Sequence, residues 1–103
     1  MNVLLEKKID AEGGLTKVFL LPEREIIKRL GKKALREIGA EATFICEGII
    51  SPYGKTKEEA RENEIAAWQC LINTGLAWQL QGWFGRRAAA LLEEGLCKSA
   101  PRT

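Results

Sequence analysis

The chain contains no histidine. Histidine is the commonest general base near neutral pH and the commonest metal ligand. Ser-His-Asp and Cys-His catalysis, and zinc sites built on imidazole, are therefore closed to this sequence. What remains is carboxylate, lysine and cysteine chemistry. Glu58/Glu59 and Glu93/Glu94 are adjacent pairs, and helix neighbours point about 100° apart, so neither pair faces inward as an acid–base dyad. Cys46, Cys70 and Cys97 are odd in number and form no Cys-x-x-Cys. They read as small hydrophobes of a reducing compartment, with Cys46 and Cys70 expected buried, reduced and unpaired. No catalytic residue, metal ligand or cofactor site is expected, and an enzyme is the least favoured class.

Two other sets of residues suit binding. Arg24, Lys28, Lys32 and Arg36 recur at intervals of four, with Arg29 and Lys33 beside them. Over one helix these six cations would lie opposite a stripe of Ile27, Leu30, Ala34 and Ile38. Charge is segregated: residues 22–39 carry six basic and three acidic side chains, a surplus of three in a chain whose whole net charge is +2. A one-sided basic helix suits a phosphate backbone, where each cation releases counterions. It suits an acidic protein patch equally well, and a solvated polar face is the plainest reading of all.

The second set is aromatic. Trp68, Trp78, Trp83 and Phe84 fall close together, interleaved with Gln81 and Arg86. Tryptophan concentrates at interface hot spots and stacks on bases, but it is also the largest filler for a small core. Trp68 shares a helical face with Ile65 and Ile72, which assigns it to the core. Trp78 and Trp83 lie in or beside a connector, where periodicity places them neither inside nor outside.

Two recognised arrangements fit less well. Residues 66–95 admit a helix-turn-helix with Arg86 and Arg87 opening the recognition helix, but Ala88-Ala89-Ala90 before Glu93-Glu94 is a poor base-reading face. Lys55, Lys57 and Arg61 resemble the phosphate-gripping helix start of double-stranded-RNA-binding domains. That fold needs three strands between its helices, and only one fits here.

The elements that must position these residues read as an α+β fold. Val3, Leu5 and Ile9 on one face, the turn-rich residues 10–14 and the Val/Phe/Leu-rich residues 15–21 predict an N-terminal β-hairpin. Pro22 opens an amphipathic helix that should run to Ile38 and stop at Gly39, with Gly31 marking close packing or a kink. Residues 42–50 predict one further, buried strand. Thr56 and Glu59 form a capping box for the next helix, which should stop near Thr74-Gly75. A connector over 76–82 leads to a last helix from Phe84 to Glu94, ended by Gly95. One domain over residues 1–97 with a frayed tail over 98–103 is expected.

The run Trp68-Gln69 through Thr74-Gly75, Ala77-Trp78, Leu80-Gln81-Gly82-Trp83 and Gly85-Arg86, then an Ala/Leu helix ending in Gly95-Leu96-Cys97, resembles a module of small proteins of unknown function encoded by bacteriophages and prophages. The resemblance covers about a third of the chain. It implies a phage-type accessory protein, working in the cytoplasm of a bacterial host by binding a host protein or nucleic acid. Inhibition of a host defence or regulatory system is one role such a protein would serve. Independently of it, no apolar run approaches the roughly 20 residues of a membrane span. Residues 1–8 also lack the pattern of a signal peptide. A cytoplasmic protein with no membrane partner is expected. A non-enzymatic interaction protein is the leading reading; a nucleic-acid-binding or regulatory module using the basic helix 22–38 is the alternative.

Overall fold

The computed structural model describes residues 1–101; Arg102 and Thr103 lie outside it. The described chain is all helical: α1 (Val3–Ala11), α2 (Leu15–Phe19), α3 (Glu23–Leu30), α4 (Lys32–Glu47), α5 (Lys57–Thr74), α6 (Leu76–Gln79) and α7 (Gly82–Glu93). Among the described residues there is no strand, which overturns the α+β expectation.

The reasons are local and specific. Leu5 and Ile9, expected on one face of a strand, are four apart, a spacing that fits period two and a helical turn alike. Both are buried, while Val3, on the same strand face, is 68% exposed. Asn2 decides the matter by capping α1, its side-chain oxygen accepting from the Leu5 N–H at 2.7 Å. The second expected strand is α2, whose Val18 and Phe19 are fully buried; contact with α5 overrides their β-propensity. The third, residues 42–50, is largely the second half of α4. There Ile38, Ala42 and Ile45 form a buried helical stripe, and the Thr43 hydroxyl donates back to the Gly39 carbonyl at 2.8 Å.

The helix expected over 22–38 breaks in the middle and continues past its expected end. Gly31 adopts φ 96° and ψ 163°, a conformation open to glycine and strained for other residues, so α3 stops and α4 starts afresh. A side chain at Gly31 would meet nothing within 4 Å, so its role is the bend and not close packing. Gly39 is the reverse case. It is helical and buried, and a Cβ there would stand 3.2 Å from Leu76 Cδ1, so it lets α4 approach α6. The left-handed stop is Gly48.

The second half of the chain follows its punctuation. Thr56 caps α5, its hydroxyl accepting from the Glu59 N–H at 3.1 Å, and Glu59 reaches back to the Lys55 N–H at 2.8 Å. Gly75 ends α5 in the left-handed conformation. The connector over 76–82 contains the one-turn α6 and the first residue of α7.

Helix α5 is the axis of the fold. From Ala66 to Ile72 every residue is buried, so this stretch is covered on all sides, as a central helix must be. Helices α2, α4 and α6 pack on it. Its polar side chains reach outward as ties. Buried Asn63 accepts from the Tyr53 N–H at 2.9 Å and donates to the Thr16 hydroxyl at 3.0 Å. Gln69 accepts from the Lys98 N–H at 2.8 Å and donates to the Lys98 carbonyl at 2.7 Å, so the tail expected to fray is held at its first residue. Among the described residues, no buried side-chain nitrogen or oxygen lacks a partner.

Candidate interaction surfaces

Gly75 turns the chain out of α5 into α6, and the extended residues Leu80 and Gln81 redirect it into α7. This corner carries Trp78, Gln81, Trp83 and Arg86, and all four are exposed. The expected core tryptophan, Trp68, is buried at 4% exposure, whereas Trp78 and Trp83 are 53% and 38% exposed. Trp83 is held firmly: its ring stacks on Phe84 at 3.9 Å between centroids and meets Trp68 edge-on at 6.2 Å. Its indole N–H donates to the Gln81 side chain at 3.3 Å. Trp78 lies beside the space over Gly85, 3.6 Å from where a Cβ would be, and the Arg86 guanidinium folds over Gly82.

The two exposed tryptophans do not form one patch. Trp83 and Gly85 point about 200° apart around α7, so the indoles stand on opposite flanks of its first turn. Arg86 and Gly82 lie between them on the solvent side. The result is an exposed helix face with Arg86 over Gly82 in its middle and an indole on either flank.

The six cations divide differently from their expected arrangement. Arg24, Lys28 and Arg29 are on α3; Lys32, Lys33 and Arg36 are on α4; all are exposed. The bend at Gly31 means that Lys28 and Lys32 are not successive turns of one helix, so the four-residue ladder is cut in two. Arg29 is engaged, bonded to Glu12 at 3.0 Å and Glu25 at 3.1 Å, and those bonds raise its pKa above the ordinary value. Arg36 borders a cleft of about 370 Å³ with Glu23, Leu35, Thr43 and Leu76, and Lys33 borders another beside Lys8 and Glu37. Arg24, Lys28, Lys32, Lys33 and Arg36 make no ion pair among the described residues.

The cysteines are free. Cys46 is half-buried in the last turn of α4, not in a strand, and Cys70 is buried in α5. Burial pushes the Cys70 thiol up to about 12 and raises that of Cys46 as well. Cys97 is buried, its thiol 3.8 Å from the Ile65 carbonyl. No group of three or more Cys, Asp or Glu suited to a metal ion occurs among the described residues, and no helix there is long and apolar enough to cross a membrane.

One grouping was not visible in the sequence. Arg61 of α5 and Arg87 of α7 share a notch lined by Trp68. Arg61 and Trp68 are seven apart, a same-face spacing, but nothing in the sequence tells which face of α7 meets them.

A family model described as a domain of unknown function, DUF7417, matches residues 56–102. The match starts at the cap of α5 and takes in the tryptophan-bordered corner. No curated protein and no solved structure matches the chain.

Proposed function

We propose that this chain is a non-catalytic binding protein of phage type that docks a host protein through the exposed face of α7 between Trp78 and Trp83. The observation that carries this reading is the exposure of two of the three tryptophans in a protein with few large side chains to spare. Leaving apolar area in water forgoes about 25 cal/mol per Å². Rigid exposed indoles beside an arginine have the composition of an interface hot spot, and the stack of Trp83 on Phe84 removes much of the ordering cost of binding. The lack of histidine and of facing carboxylates supports a role without catalysis. A host defence or regulatory protein in the bacterial cytoplasm is the partner class that the phage resemblance favours.

The test is affinity capture from bacterial lysate with nuclease treatment, using the wild type, Trp78→Ala, Trp83→Ala and Lys28→Glu/Lys32→Glu. A specific protein that survives nuclease and is lost with Trp78→Ala supports the reading. Retention of that protein by Trp78→Ala and Trp83→Ala alike overturns it.

Five exposed cations without acidic partners favour a second reading, binding of nucleic acid by Arg24, Lys28, Lys32, Lys33 and Arg36. That reading requires wild-type affinity for mixed DNA and RNA to fall steeply between about 50 and 200 mM salt. It also requires Lys28→Glu/Lys32→Glu to abolish binding while circular dichroism stays unchanged.

A further inference from the structure

Helices α5 and α7 enclose a notch of about 110 Å³, more enclosed than the clefts beside Arg36 and Lys33. Arg61 and Arg87 stand exposed on its rims, with Glu64 beside Arg61; Ile65, Trp68 and Leu91 lie beneath. Among the described residues neither guanidinium makes an ion pair. Two like charges on the rims of one notch repel each other, and a small anion between them would relieve that. At about 110 Å³ the notch suits a small head group better than a whole nucleotide or sugar. Two arginines and one glutamate leave one net positive charge, which balances a monoanion and not a phosphate dianion.

We propose that this notch binds a single carboxylate, gripped by Arg61 and Arg87 above the buried Trp68. Guanidinium and carboxylate match as planar two-point partners. The carboxylate could belong to a small free acid or to an Asp or Glu side chain of a bound protein. The proposal does not depend on the tryptophan-bordered face of α7, because the purified chain alone tests it.

The experiment is a nitrogen-15 NMR titration of the full chain with sodium acetate, with a capped peptide carrying one glutamate, and with inorganic phosphate above its second pKa. Sodium chloride at matched ionic strength is the reference. The expected result is saturable movement of the Arg61 and Arg87 Nε–H signals and the Trp68 indole signal with a carboxylate. Arg61→Gln and Arg87→Gln should each weaken binding by about tenfold or more, the loss of one charge-assisted hydrogen bond. Phosphate should bind more weakly than carboxylate, and Glu64→Gln should narrow or reverse that order. Peptide binding tighter than acetate assigns the site to a partner's side chain; the opposite order assigns it to a free acid. If either glutamine variant unfolds, the lysine variant replaces it, keeping the charge and losing the fork. Shifts no larger than with chloride, indifference to both arginine variants, or tighter phosphate binding in the wild type would overturn the proposal.

Discussion

The three tryptophans differ by what surrounds them, and their substitution should separate them cleanly. Trp68 is buried against Trp83 and Phe84, so Trp68→Ala removes a large core side chain and should cost roughly 3–5 kcal/mol. Trp78→Ala removes an exposed ring and should change stability by no more than about 0.5 kcal/mol. Urea denaturation of both variants checks the contrast, and equal losses would show that Trp78 is structural. The buried thiol gives a second expectation. A Cys70 pKa lifted from 9.0 to about 12 means that the folded state favours the neutral thiol. The stability tied to it is complete below the unfolded pKa and drains away as pH climbs from about 9 toward 12. In native protein at about pH 8, a thiol reagent should leave Cys70 untouched, while denaturant should expose all three cysteines. The burial of Trp68 was legible from its spacing to Ile65 and Ile72. The exposure of Trp78 and Trp83 was not, because a short connector has no period from which to read a face.

Helix ends written in capping chemistry were legible: Thr56 and Glu59, Gly75 and Gly95 all punctuate the chain where their types predict. What failed was the choice between periods. Leu5/Ile9 satisfies both, and the Val/Phe/Leu content of residues 15–21 and the apolar residues within 42–50 read as strands that packing against α5 does not allow. Gly39 resembled a stop and is a contact; Gly31, expected to mark close packing or a kink, is a break between two helices. That break is testable. Gly31→Ala places a side chain at φ 96°, and strain of this kind costs on the order of 1–3 kcal/mol. The same change also favours a continuous helix through Lys28 and Lys32. A variant at least as stable as wild type, measured in urea, would show that the bend is not enforced by the rest of the fold.

The separate pieces of the chain are joined mainly through α5. Asn63 ties residue 16 and residue 53 to it at once. Asn63→Leu should leave the Tyr53 N–H and the Thr16 hydroxyl without that partner, at about 1–3 kcal/mol. Hydrogen exchange at Tyr53 should quicken more than exchange at Ala67; equal protection in the variant would mean that other contacts hold the 48–56 connection. None of these ties was legible, since their sequence separations of 10 and 47 residues leave no local trace.

The burial of α5 on every side bears on where folding autonomy resides. The family match begins at residue 56, yet α2 and α4, which cover much of α5, lie before it. A fragment of residues 56–101 would present Ala66, Cys70 and their apolar neighbours to water along a bare flank. It should show helical circular dichroism, bind a hydrophobic dye and melt without a cooperative transition, or pair with itself to hide the flank. The matched segment would then owe its cover to the first half of the chain, and could stand alone only by finding another.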